Sequence, residues 1–345
     1  METFYKHMNN FIWQHPFIKG CIHFTSRFCP YMIIIFYSLF LLKIYIEWLR
    51  ENMSNKKVNV KKAILIIIAC ITITGIVSTT WAYVDNQKKI KAEQLKIEEE
   101  KRKAEEEKKK YTVGTSHEGK KYSYDASVVA EKLKKYDYSN NGEKIVFLTF
   151  DDGTSTTNTP KVLDILKKEG VKATFFITGQ NVEYGGEKAR DLIKQEFNEG
   201  HAIANHGYSH DCNKLYPGRY LDIDAFKEDF KKNEELIKSV LGDNFSTRVL
   251  RCPGGYMSWK GMEPLDKYLD ENKLISIDWN ALNADAEGKK KNAKELANYA
   301  IKTSEGKEMV VLLMHDTYGK EETVKALPAI IKYFKDNGYE FKTLS

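Results

Sequence analysis

Chemistry-bearing side chains gather in a few short stretches of this 345-residue sequence. Thr149 to Gly153 reads TFDDG, with Asp151 and Asp152 side by side. His206 to His210 reads HGYSH, two imidazoles four residues apart. On a helical turn that spacing puts both rings on one face. Two imidazoles and one carboxylate make a three-ligand set with an open position, the pattern of a catalytic divalent cation. Two adjacent carboxylates repel when buried, and a cation on one of them relieves the repulsion. No Glu follows His206, so this is not the HExxH arrangement.

Three further stretches offer partners for such a site. RCPGG (251–255) places Arg251 where it could hold a carboxylate ionised. Its Pro-Gly-Gly lets backbone approach a ligand closely, and the next N–H, on Tyr256, could face an oxyanion. IDWN (277–280) offers Trp279 as the wall of a sugar-sized pocket and Asp278 as an acid that could orient an imidazole. LLMHD (312–316) ends a strongly apolar run in His315, a candidate general acid. Taken singly, each stretch has a plainer reading: a solvated Asp-Gly turn, surface histidines, a simple turn, a core Trp, a hydrogen-bonded core His.

The elements that must position these residues follow from hydrophobic patterning. Apolar runs at 145–150, 172–178, 201–206, 247–252, 274–279, 309–315 and 339–344 alternate with amphipathic helical windows such as Thr159–Glu169 and Ile223–Leu241. Strand–helix alternation with doubly buried strands predicts an α/β fold on a parallel sheet. Seven units in about 200 residues predict a distorted (β/α)7 barrel rather than the regular eight. Nearly every reactive residue then falls at a strand's C-terminal end, where such barrels carry their sites. The predicted catalytic domain is 143–345, preceded by a polar lead-in, 111–142, with one helical pattern over 126–135.

The N-terminal part has a different character. Ala63 to Tyr83 holds 21 residues without a charge, ends in aromatics and follows Lys56, Lys57, Lys61 and Lys62. That predicts a transmembrane signal-anchor with its lysine end in the cytoplasm and the catalytic domain outside the cell. Residues 86–110 alternate Glu and Lys in blocks and predict a solvated helical stalk. A second apolar stretch, Cys29 to Leu42, could form a hairpin of two spans, which would return the domain to the cytoplasm. Met53, however, opens a complete signal-anchor pattern by itself, so residues 1–52 are expected to be an over-extended gene start. The net charge of +6 comes without a basic stripe interleaved with aromatics, which excludes a nucleic-acid partner. The five cysteines form no CxxC pair, so neither a zinc knuckle nor a disulfide framework is indicated. Cys212 and Cys252, both beside candidate site residues, are expected to pair in an oxidising exterior.

KIVFLTFDDG, KVLDILKKEGVKATFFITG, HAIANHGYSH and LLMHD, in this order over about 144–344, resemble the polysaccharide deacetylases with a NodB-type domain. The resemblance implies a divalent metal on Asp152, His206 and His210, zinc first, with cobalt, nickel or manganese as alternatives. It implies Asp151 as general base, held by Arg251, and His315 as general acid, tuned by Asp278. Tyr256, Trp279 and Leu313 would face substrate and oxyanion. Two positions depart from the family pattern: Ile275 stands where another Asp is frequent, leaving the tuning to Asp278, and Cys252 replaces an aromatic or Pro. The implied activity is removal of acetyl groups from a cell-surface polysaccharide, peptidoglycan N-acetylglucosamine first. An O-acetyl esterase on xylan-like polymers, a chitooligosaccharide deacetylase and a catalytically inactive glycan-binding module are the alternatives.

Overall fold

A computed structural model describes residues 60–345 and a few positions between 38 and 50. The apolar stretch Cys29–Leu42 and the extension 1–52 thus lie largely outside the described residues. Helix α1 (Val60–Lys110) is long and apolar enough over part of its length to cross a membrane, and none of that window is buried within the protein. Its charged part continues as helix, with Lys89–Asp85 and Lys103–Glu99 pairs at 2.9 and 3.0 Å. The chain divides at Lys103, and the unit from Ala104 onward is described by itself.

That unit opens with short strands β1 (Tyr111–Thr112), β2 (Thr115–Ser116) and β3 (Ser123–Tyr124), then helix α2 (Ala126–Lys134). Asp125 caps α2 by accepting from Ser127 N at 2.9 Å. There follow β4 (Ile145–Gly153), α3 (Thr159–Glu169), β5 (Thr174–Ile177), α4 (Gly179–Asn198), β6 (Ala202–Asn205), α5 (Cys212–Leu215), α6 (Ile223–Leu241) and β7 (Val249–Leu250). The last part carries α7 (Glu263–Asn272), β8 (Ile275–Ser276), β9 (Ala281–Leu282), α8 (Ala293–Ser304), β10 (Met309–His315), α9 (Glu321–Asp336) and β11 (Glu340–Leu344).

Seven strands run parallel in the order β9-β10-β4-β5-β6-β7-β8. This is an α/β fold with a parallel sheet, consistent with the distorted (β/α)7 barrel; among the described residues the ladder does not continue from β8 to β9. The seventh strand is not the expected run at 339–344. It is β9, two residues long and invisible to an apolar-run search, while β11 lies beside the first half of β4, from Ile145 to Phe147. Strand β5 takes over that side of β4 from Thr149 onward.

Alternation along the two longest strands sorts their residues to two faces. Val146, Leu148 and Phe150 of β4 and Val310, Leu312 and Met314 of β10 join one apolar cluster with the surrounding helices. Ile145 and Phe147, with Met309 and Val311, join a second cluster that includes Ala126 and Val129 of α2. The lead-in helix thereby packs on the N-terminal ends of the strands. Continuing along that second face, each strand ends polar: Thr149 then Asp151 on β4, and His315, after Leu313, on β10.

Candidate active site and metal centre

The β4–β10 pairing is in register, with His315 opposite Asp151 and Leu313 opposite Thr149. A base candidate and an acid candidate are thus neighbours because two parallel strands end together. Asp151 is almost wholly buried. Its Oδ1 accepts from Arg251 Nη1 at 2.6 Å, and the same nitrogen donates to Thr149 Oγ1 at 2.9 Å. Arg251, itself fully buried, is fixed further by Nε donating to Ile277 O at 2.8 Å, and its guanidinium lies 4.0 Å over the Phe176 ring. Burial raises the Asp151 pKa above the ordinary carboxylate range, and the charges of Arg251 and His315 pull it back only in part. The expectation that Arg251 holds Asp151 agrees with this geometry.

Asp152 follows with φ of +59°, and the register with β5 is irregular between Asp151 and Gly153. The local kink re-aims its carboxylate. Asp152 Oδ1 lies 3.6 Å from His206 Nε2 and 3.5 Å from His210 Nε2, and the three donor atoms form one cluster within 4.8 Å. A tetrahedral ion with bonds of about 2.1 Å holds its ligands roughly 3.4 Å apart.

On a helical turn the HGYSH spacing would align the two imidazoles; the structure has an irregular loop there instead. Gly207 and His210 take positive φ, +80° and +50°, and Asp229 of α6 accepts from Tyr208 N at 2.7 Å and Ser209 N at 3.2 Å. A carboxylate reaching in from a helix thus shapes the loop that presents both imidazoles. Nothing in its own sequence pattern set Asp229 apart from a solvated helix residue.

The chemistry of this donor set fits a cation. His206 Nδ1 sits 2.8 Å from Arg251 O, which assigns the proton to Nδ1 and leaves a lone pair on Nε2. Burial, with the neighbouring His210, pushes the His206 pKa down to about 3, so the ring is neutral. Its lone pair therefore faces a carboxylate oxygen. That oxygen, Asp152 Oδ1, is buried without a hydrogen-bond partner. Acceptors aimed at one another need a cation between them.

His315 is held differently from the expectation. Its Nδ1 lies 2.7 Å from Asp285 Oδ1, and its own N–H donates to Asp285 Oδ2 at 3.0 Å. Thr323 Oγ1 and Asn283 Nδ2 also donate to Oδ2, at 2.6 and 3.3 Å. Burial alone would lower the His315 pKa, but the hydrogen bond and charge of Asp285, with Asp152 and Asp151 behind it, raise it to about 9. Nε2 points to the site, 3.9 Å from Asp152 Oδ2. Asp285 therefore replaces Asp278 as the acid on His315. Asp278 instead accepts from Tyr256 N at 2.9 Å and Met257 N at 3.3 Å, closing the turn after RCPGG. The Tyr256 N–H is thereby taken, which corrects its assignment to an oxyanion.

Trp279 stands partly buried beside that turn. A Cβ on Gly255, whose φ is +83°, would meet the Trp279 ring at 2.8 Å, so only glycine admits the indole there. Cys212 and Cys252 are separate thiols, correcting the expected pairing. Cys252 is buried against Ser276, Sγ to Oγ 3.7 Å.

Residues 138–263 match the polysaccharide deacetylase family model. A peptidoglycan-N-acetylglucosamine deacetylase of Bacillus cereus is 33% identical over 218 residues, spanning 61% of this chain and 72% of that protein. A bifunctional xylanase/deacetylase of Pseudobutyrivibrio xylanivorans is 30% identical over 60% of this chain and 31% of its own length. Among solved structures, a Streptococcus mutans CE4 esterase superposes with a TM-score of 0.62 at 34% identity, covering 68% of this chain and 98% of that one.

Proposed function

This chain belongs to the polysaccharide deacetylase family, and from that premise we propose that it removes acetyl groups from N-acetylglucosamine of peptidoglycan with a divalent metal, zinc first, on Asp152, His206 and His210. The observation that carries the reading is the orphaned Asp152 Oδ1 facing two imidazole nitrogens, one strand position from an Arg-held Asp151. A bound cation there would polarise the acetyl carbonyl and acidify a coordinated water.

The chain's own residues do the rest. Asp151, with its pKa raised, accepts the proton of the attacking water, and Arg251 keeps the carboxylate in place while Oδ2 serves as base. Keeping Asp152 for the metal leaves Asp151 free for this role. His315, charged and steered by Asp285 through Nδ1, presents Nε2 to protonate the departing amine as acetate leaves. Trp279 and Leu313 wall the space above Arg251 and His315; Leu313 lies two positions before His315 on the same strand face.

The apolar part of α1 acts as a single-pass anchor and its charged part, 86–110, as a stalk, with the catalytic domain outside the cell. The length and exposed apolar surface of that helix support this reading. The test is acetate release from purified cell wall by the full chain in detergent, with and without chelator. Release from acetylated xylan but not from wall moves the substrate to the second reading, which the xylanase/deacetylase relative favours.

A further inference from the structure

Tyr184 is 79% exposed, the most exposed large hydrophobic side chain among the described residues. Its ring meets that of Tyr318 at a centroid distance of 5.2 Å and an angle of 89°, so the two make an open right-angled corner. The corner is fixed at the mouth of the site. Tyr318 follows β10 three residues after His315, Thr156 follows β4, and Tyr184 lies in the first turns of α4, directly after β5. These are the C-terminal ends of three adjacent strands. Tyr318 Oη accepts from Thr156 N at 3.3 Å, and a Cβ on Gly185 would meet that same hydroxyl at 3.3 Å.

Asn181 ties the corner to the metal loop. Its Nδ2 donates to Asp152 O at 2.8 Å and to Thr317 Oγ1 at 3.2 Å. Asn181 and Tyr184 are three apart on one helix, hence on one face. Gly186, at φ 60° and ψ −145°, breaks the helix just after, which ends this short piece with the tyrosine outermost. An aromatic ring left in water against a second, anchored ring, beside a reaction centre, has no role in the core. It offers a flat apolar face with a polar edge, which suits the C–H face of a pyranose ring with its hydroxyls to the side.

We propose that the Tyr184–Tyr318 corner is a binding subsite for a sugar of the same glycan chain, next along from the one being deacetylated, and that it makes the enzyme prefer chains over short substrates. This rests on the proposed function in that the occupant is a glycan. The test uses the full chain in detergent and N-acetylglucosamine oligomers of two to five units. In Tyr184→Ala the kcat/KM advantage of the pentamer over the dimer shrinks about two- to tenfold, the range for one aromatic contact. Tyr184→Trp keeps the advantage, and Tyr184→Gln, a second truncation, repeats the loss. An unchanged length preference in both truncations overturns the proposal. Should the wild-type chain release no acetate, the reading of the activity fails separately, and calorimetric titration of the pentamer into wild type and Tyr184→Ala decides the subsite: equal affinities overturn it, weaker binding by the variant upholds it.

Discussion

Asp285→Asn is the sharpest probe of how the acid is set. The substitution keeps the shape and one acceptor oxygen, which can still take the Nδ1 proton, while the charge goes. The amide nitrogen then occupies the Oδ2 position and gives up the bonds accepted there from His315 N and Asn283 Nδ2. The lost interaction is a charge-assisted hydrogen bond of 2.7 Å in a site where both partners are largely buried. Such bonds contribute about 1.5–3 kcal/mol, and at about 1.4 kcal/mol per pKa unit the His315 pKa falls by one to two units. A cation on Asp152 cancels part of the remaining upward pull, so the starting value in the loaded enzyme lies below the 9 of the chain alone. The sign is fixed either way: the imidazolium loses its proton at lower pH. The alkaline limb of the kcat/KM profile should move to lower pH by one to two units, with a larger loss at pH 8 than at pH 6. Metal content, measured by atomic absorption, should stay at the wild-type value. An alkaline limb that stays in place in Asp285→Asn, with activity retained, refutes the assignment, as does an equal shift in Asp278→Asn.

Asp152→Ala, His206→Ala and His210→Ala should each lose bound metal and activity together, read by metal analysis after dialysis; full stoichiometry in all three would sink the ligand set. Asp151→Asn should keep the metal yet lower kcat by about 10² or more. Arg251→Ala strands the buried Asp151 charge and should cost about 3–5 kcal/mol in urea unfolding, a loss that Asp151→Asn in the same chain partly restores. His201, buried and accepting from Ala173 N at 3.1 Å, has a folded pKa near 3 against 6.5 unfolded. Its contribution is complete above pH 6.5 and is lost as the pH falls toward 3, at about 1.4 kcal/mol per unit; the gap in stability between wild type and His201→Asn should narrow from pH 7 to pH 5. Protease added to intact cells should release a soluble fragment cut within 86–110, whereas protection of that segment favours the hairpin topology.

The sequence made the strand-end residues legible because two physical signals coincide there. A buried strand is a run of apolar residues, and a reactive group must stand at its end, so Asp151, His206, Arg251 and His315 each interrupt a run that is otherwise hard to mistake. Asp285 carried no such mark. It follows a strand only two residues long, inside the polar stretch NADAEG, and its value comes from lying across from His315 and Thr323, which only the fold brings together. Asp229 is hidden for the opposite reason: on an amphipathic helix, an acid turned inward to two N–H groups has the same local sequence as one turned outward. HGYSH needs no helical turn to bring its imidazoles together, because i,i+4 spacing suits facing imidazoles on a helix but is not specific to one; a loop with two positive φ angles achieves the same approach, 5.0 Å between ring centroids.

Strand β11 has a consequence for the order in which the domain assembles. It supplies the neighbour of β4 from Ile145 to Phe147, nearly two hundred residues earlier, and also pairs with β3, Thr343 beside Ser123. The first barrel strand therefore stays half unpaired until β11 has been made, and the contact is among the most distant in sequence that the domain possesses. Contacts of that span form late and slowly. The edge of β4 from Ile145 to Phe147 therefore cannot be covered until almost the whole domain has been synthesised.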